Sequence, residues 1–247
     1  MPLVETEALV LRTYRLGESD KIVSLLTRHL GRCRVAASGA LRTKSRFGSS
    51  LEPLSYVRVW IYDRPNRDLQ RLGAAEMIES FFGIQSDYRV QVGTQYLAEV
   101  ADAFLPEREV NERAFRLVLA VLRGMKVSGE VTRPLLYFNY WLLRLGGFLP
   151  SLDRCADCRS PLGTKAFYGS GSEGLVCKDC RKPTARNEIS AEVLALAGKL
   201  RGLRLEDWLR EQKSPPGTNQ LRRFLEELIQ THLERKLATR ELLAEEI

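Results

Sequence analysis

Residues 54–62 read LSYVRVWIY. In an extended chain Val57, Val59 and Ile61 fall on one face, and Tyr56, Arg58, Trp60 and Tyr62 fall on the other. Three apolar side chains on one face and rings with a cation on the other describe a strand with a single buried side. Working outward, residues 3–15 (LVETEALVLRTYR), 22–27 and 33–37 carry similar strand-forming residues, and residues 69–75 follow them. Gly17-Glu18-Ser19-Asp20, His29-Leu30-Gly31-Arg32 and Asp63-Arg64-Pro65-Asn66 supply turns, with Gly31 free to take positive φ. Residues 40–50 hold Gly48, Ser49, Ser50 and three cations and read as a mobile loop. Five short antiparallel strands in succession predict a small β-barrel of the OB type.

Beyond residue 75 the period changes from two to 3.6. Residues 88–105 form a helix stopped by Pro106, and Asn111 caps a second over 112–126 that Ser128-Gly129 ends. Pro134 opens a third helix, LLYFNYWLLRL, which Gly146-Gly147 ends. It is apolar on nearly every face and belongs at the centre of a bundle. Ser190 caps a helix over 190–200, and residues 203–211 add a short one. After Ser214-Pro215-Pro216-Gly217, Thr218 or Asn219 caps a long last helix, QLRRFLEELIQTHLERKL, with Leu221, Leu225, Leu228 and Ile229 as its buried stripe. The expected fold class is α+β multidomain. An OB domain spans 1–80 and a helical domain spans 81–247, with a cysteine insert at 153–182.

The net charge of +7 is uneven. Residues 1–80 hold 13 basic and 9 acidic side chains, whereas residues 183–247 hold 11 of each. From 21 to 51 there are seven cations, Lys21, Arg28, Arg32, Arg34, Arg42, Lys44 and Arg46, and no carboxylate. That segment reads as a polyanion-binding surface, because its cations have no acid nearby in sequence to neutralise them. Arg58 and Trp60 extend it along the 54–62 strand, with Tyr62 and Tyr14 as neighbouring rings that can stack on bases or pack inside. The start of the chain has no basic-then-apolar leader pattern, since Glu5 and Glu7 come at once. No apolar run reaches membrane-spanning length. The expected location is cytoplasmic.

Cys155-Ala-Asp-Cys158 and Cys177-Lys-Asp-Cys180 are two C-x2-C pairs. In a reducing compartment they point to a metal rather than to disulfides. Four thiolates make a closed tetrahedral shell, which suits one structural zinc per chain. Arg154, Arg159, Lys178 and Arg181 lie beside them and can offset the site's negative charge. Cys33, in a strand, reads as a small buried residue. There is no Walker-type loop, no cluster of carboxylates of the two-metal kind, and only two histidines, His29 and His232, far apart. No catalytic residue is assigned and no small-molecule substrate is expected.

Several stretches resemble the bacterial RecO family of DNA-repair recombination mediators. They are ALVLRTYRLGESDKIVSLLTRHLGR, ASGALRTKSRFGSSLEP, LLRLGGFLPSLDRCADC and LRRFLEELIQTHLERKLATRELL. The resemblance implies an OB domain, a helical domain with a zinc module, and no enzymatic turnover. It implies binding of single- and double-stranded DNA and annealing of complementary strands without ATP. The partners it implies are RecR, the C-terminal tail of the single-strand DNA-binding protein and, indirectly, RecA. An acidic tail with an apolar end needs an apolar pocket with a basic rim. Arg222, Arg223, Arg235 and Lys236 on the last helices are candidates for that rim. On the residues alone, a nucleic-acid-processing enzyme with a structural zinc ribbon and an adaptor that binds no DNA are the alternatives.

Overall fold

The structure is a computed structural model and describes residues 2–64, 67–169 and 174–246. Pro65 and Asn66 of the expected turn, and residues 170–173 of the cysteine insert, lie outside the described residues. Contacts divide the chain into two compact units, Met1–Val131 with Lys236–Ile247, and Thr132–Arg235.

In the first unit, β1 (Leu3–Leu16), β2 (Asp20–Thr27), β3 (Gly31–Ala37), β4 (Tyr56–Tyr62) and β5 (Leu69–Glu79) close into a barrel in the order β1-β2-β3-β5-β4. Closure depends on β1, which pairs with β2 along its second half and with β4 along its first. A register shift between Val10 and Arg12 lets this long strand bend round the barrel. One pairing is parallel rather than antiparallel: β3 meets β5 only over Arg34–Ala36 with Leu69–Arg71. The first residues of β3 therefore lack a strand on that edge.

The 54–62 pattern turns out as the alternation requires. Val57, Val59 and Ile61 fill the barrel interior with Val10, Val23, Leu25, Val35 and Leu72. Each such burial contributes roughly 1.5–3 kcal/mol. Residues 40–50 are not the mobile loop that their composition suggests. A 3-10 turn at Gly48–Leu51 drives Phe47 and Leu51 into the barrel core, where both are buried.

Helices α1 (Tyr88–Phe104), α2 (Glu112–Ser128) and α7 (Ala238–Glu246) complete this unit. Asp87 caps α1, Asn111 accepts from the Ala114 N–H to cap α2, and Gly129 ends α2 at φ 66°. Residue 80 marks where the strands end, not where contacts thin. Leu9, Leu11 and Leu26 point away from the barrel interior yet are buried, and α1 packs on β1.

The second unit is organised around α3 (Thr132–Gly146), which packs mainly on α6 (Thr218–Leu233) and also on α4 (Ala191–Leu200) and α5 (Leu205–Leu209). Leu135, Leu136, Phe138, Asn139, Leu142 and Leu143 of α3 are buried, as expected of a central helix. Arg133 is buried and donates to the carbonyls of Trp208 and Glu211 at 2.7 and 2.8 Å, which closes the end of α5. The short strands β6 (Lys165–Tyr168) and β7 (Asn187–Ser190) pair beside the cysteines.

Two expectations about the last helices are corrected. Neither Thr218 nor Asn219 caps α6: Gly217 takes that position at φ 83°, and Thr218 is already helical. A Cβ at Gly217 would meet the Val193 side chain first and then its backbone, and the positive φ itself favours glycine there. The long helix expected to run to residue 237 also ends early, at Leu233, with Glu234 left-handed. A separate helix, α7, follows and belongs with the barrel.

Candidate nucleic-acid interface and metal centre

The seven cations of residues 21–51 divide into two groups. Four have found carboxylates that are distant in sequence. Lys21 pairs with Glu52 at 3.2 Å, and Arg28 pairs with Glu7 and Glu112 at 3.2 and 2.8 Å. Arg32 donates to the Leu105 carbonyl at 2.8 Å and lies 3.6 Å from both Asp102 and Glu107. Arg34 pairs with Glu107 at 2.8 Å. The Arg28 pair holds the Glu112 carboxyl below its ordinary range. The expectation that this acid-free segment has nothing to neutralise it therefore fails for these four, because the acids come from β1, α1, α2, the connector between α1 and α2, and Glu52 just beyond the segment.

Arg42, Lys44 and Arg46 form the second group. All three are exposed, and among the described residues none pairs with a carboxylate within 4 Å. Their loop is anchored rather than loose. Phe47 holds one end in the barrel, with the Arg46 guanidinium 4.8 Å from its ring centroid. At the other end the Leu41 N–H donates to the Ser19 carbonyl and the Gly39 N–H to the Asp20 carboxylate, each at 2.8 Å. The Gly39 N–H, the Ser19 hydroxyl and the Arg42 charge hold the Asp20 carboxyl low. These bonds set the three cations beside the β1–β2 turn, where β1 leaves Tyr14 and Leu16 exposed.

On β4, Arg58 reaches Glu5 at 3.4 Å, and the half-buried Trp60 donates from Nε1 to Glu5 at 3.1 Å. The Arg71 guanidinium lies over the Tyr62 ring at 5.3 Å. These rings are thus neither fully buried nor free. The outward face of β2 and β3, a common oligonucleotide surface in OB folds, is partly taken by α1. Ser24 donates to Asp102 at 2.5 Å, and Leu26 is buried. Cys33 is buried in the barrel, and burial pushes its thiol up to about 12, which makes it inert.

The thiol sulfurs of Cys155, Cys158, Cys177 and Cys180 all lie within 4.8 Å of one another and can hold a metal ion. Two tight turns present them. In the first, the Arg159 N–H returns to the Cys155 carbonyl at 3.1 Å, with Arg159 itself at φ 62°. Burial opposes ionisation of Cys155, but the N–H groups of Cys158, Cys177 and Asp157 bring its thiol down to about 6. Cys180, hydrogen-bonded to the Cys158 and Cys177 sulfurs, is pushed up to about 12. The surrounding core is small: Phe167, Val176 and Ala185 pack on Cys155 and Cys177. Of the cations expected to offset the site, Arg181 lies over the Phe167 ring at 4.3 Å and Arg154 donates to the Arg159 carbonyl at 3.2 Å. Arg159 and Lys178 are exposed.

The second unit also holds a pocket of about 720 Å³ lined by Phe148, Leu149, Pro150, Tyr168, Phe224 and Leu228, among others. The Tyr168 hydroxyl donates to Glu227 at its wall, at 2.9 Å. Arg222 cannot serve as a basic rim, because it is buried and paired with Glu226 at 2.8 Å. Arg223, Arg235 and Lys236 are exposed.

Three features escaped the sequence reading: the Phe47 plug, the Glu107 contacts, and a clamp in which Glu99 accepts from the Ala238 and Thr239 N–H groups and the Thr239 hydroxyl. The last two join residues 73 to 140 positions apart, and no local signal marks them.

Family models and relatives agree. A model described as recombination protein O N terminal matches residues 1–81, and one described as recombination protein O C terminal matches 85–241. A protein of Koribacter versatilis named DNA repair protein RecO is 40% identical over 237 residues, 96% of each chain. Proteins of the same name from Nocardioides and from Anaeromyxobacter strain K are 38% and 30% identical. They cover 83% and 99% of this chain and 84% and 97% of their own.

Proposed function

The chain belongs to the recombination protein O family of DNA repair proteins, and from that premise we propose that it is a non-enzymatic recombination mediator that binds single- and double-stranded DNA through its barrel. The observation that carries this reading is the trio Arg42, Lys44 and Arg46, exposed on an anchored loop with no carboxylate within pairing distance among the described residues. Lys21, Arg28, Arg32, Arg34, Arg58 and Trp60 stand behind the trio as lesser contacts, since each must exchange a partner it already has. Phosphate contacts carry no base information, so binding is independent of sequence. A surface that neutralises two strands lowers their mutual repulsion, which is what annealing without ATP requires.

The family supplies the wider role: loading RecA, with RecR, onto DNA coated by single-strand DNA-binding protein. The apolar pocket between Phe148 and Leu228 offers a seat for that protein's tail, with Arg223 and Arg235 as the nearest of the expected cations along the chain. Action at the nucleoid in the cytoplasm follows from the same role. Among the described residues no helix is long and apolar enough to cross a membrane.

The four cysteines fit a structural zinc. Thiolates about 2.3 Å from a tetrahedral zinc lie about 3.8 Å apart, and the Cys158 and Cys177 sulfurs are 3.8 Å apart. When bound, the ion ties the two turns together. Four protein ligands leave no position for a reacting water.

The test is the triple variant Arg42→Gln, Lys44→Gln, Arg46→Gln. Its affinity for oligothymidylate should fall, and the slope of log K against log salt should flatten by about 2, at about 0.7 per lost phosphate contact. An unchanged slope removes the loop from the interface.

A further inference from the structure

Glu107 lies on the connector between α1 and α2, opposite the strandless edge of β3. There it forms a parallel bridge with Arg32. The connector is fixed in place at several points. The Arg108 N–H donates to the Arg32 carbonyl at 2.8 Å, and the Arg108 guanidinium holds Asp63 at 2.7 Å. The Glu109 backbone passes so close to Gly31 that a Cβ there would collide with it. Arg108 is held in the left-handed region at φ 62°, a conformation that persists only where the surroundings impose it. This framework presents the Glu107 carboxylate to Arg34 at 2.8 Å.

The two neighbouring arginines differ. The Arg32 side chain is only 17% exposed and donates to a carbonyl of the connector, so it is part of the framework. The Arg34 side chain is 47% exposed, and its partner Glu107 is 33% exposed. Their ion pair faces water, and a side-chain rotation alone separates it.

We propose that Glu107 is an internal competitor for the DNA phosphate that Arg34 would otherwise bind: a carboxylate standing where a phosphate oxygen is to sit. It restrains the barrel from holding DNA with its full set of cations until the strand displaces it. This rests on the DNA-binding reading above. It adds that one acidic side chain, not the number of cations, limits affinity on this edge.

The experiment measures binding of labelled oligothymidylate across a salt series by the full chain and three variants. Glu107→Gln, nearly isosteric, tightens binding about two- to fivefold at each salt concentration, the range of an exposed ion pair. Arg34→Gln alone weakens binding modestly, and added to Glu107→Gln it cancels the gain. Glu109→Gln removes the same charge from the same connector without touching Arg34 and leaves affinity as it was. Equal tightening by Glu109→Gln, or no tightening by Glu107→Gln with an unchanged melting curve, overturns the proposal. On the unaltered protein, the Arg34 Nε–H resonance moves when oligothymidylate is added; a resonance that stays in place overturns it also. Failure of both parent and variants to bind overturns the DNA-binding reading with it. A parent that binds, beside a Glu107→Gln variant that binds equally, removes this inference alone.

Discussion

The barrel and the cysteine module reach order by opposite means. The barrel buries a continuous apolar interior supplied by all five strands and plugged by Phe47 and Leu51. The cysteine module's described residues bury a smaller cluster, Phe167, Val176 and Ala185 around Cys155 and Cys177, with Ala166 and Leu175 also buried and Tyr168 packed on Phe224 of α6. A smaller core offsets less of the conformational entropy of its turns, so an ion at the four thiolates, as proposed above, would contribute more here than in the barrel. The contrast shows that strength of sequence signal and strength of fold are separate matters. The cysteines are the sharpest motif in the chain and mark its most dependent region.

Removing the metal is the widest way to test that contrast. Binding of zinc to a structural four-ligand site contributes on the order of 10 kcal/mol near neutral pH. A strong chelator, or Cys155→Ser with Cys158→Ser, should therefore unfold the module and abolish about one bound zinc per chain. The barrel's amide protection from hydrogen exchange should stay intact. Loss of barrel protection on chelation would mean that the barrel does not stand on its own core.

Phe47→Ala attacks the other side of the comparison. Truncating a fully buried phenylalanine costs about 3–5 kcal/mol, and here the loss falls on the barrel. Denaturant unfolding followed by amide exchange of the barrel strands should show it, while zinc content stays unchanged. Because Phe47 also anchors the loop that carries Arg42, Lys44 and Arg46, oligonucleotide binding should weaken without any cation being removed.

The same division explains what was legible in the sequence. Strands of period two and a doubled C-x2-C spacing are local patterns, and both the barrel and the cysteine cluster appear as read. Phe47 was lost because one aromatic among Gly, Ser and Arg looks like a loop residue. Only the 3-10 turn that follows directs it inward. The pairing of Arg28, Arg32 and Arg34 was out of reach because charge counted along a window cannot see Glu107 or Glu112, which fold back from 73 and 84 positions away; the Lys21 partner, Glu52, lies just past the window's end. The end of α6 was hidden because Glu234-Arg235-Lys236 are good helix formers, and the break comes from burial of Leu237 ahead of a new helix in the other unit.

That new helix supports the smallest of the expected effects, and it shows that apolar burial is not the barrel unit's only tie. Burial alone would raise the Glu99 carboxyl, but bonds from Thr239 and Ala238 and the Arg12 charge hold it below its ordinary range. A depressed carboxyl stabilises the fold fully above the unfolded value, near 4.3. That stability is lost as pH falls through the lower folded value. Glu99→Gln should destabilise the attachment of α7 by about 1–3 kcal/mol at neutral pH, as the buried donors lose a charged acceptor. Hydrogen exchange at Thr239 reads the change. At acid pH, once it falls through the lowered folded value, the parent's carboxyl is itself protonated, so parent and variant should converge. A gap of equal size at both pH values would mean that the carboxylate charge is not what holds α7. The helix would then rest on Leu237 and Leu243, by the same means as the barrel core beside it.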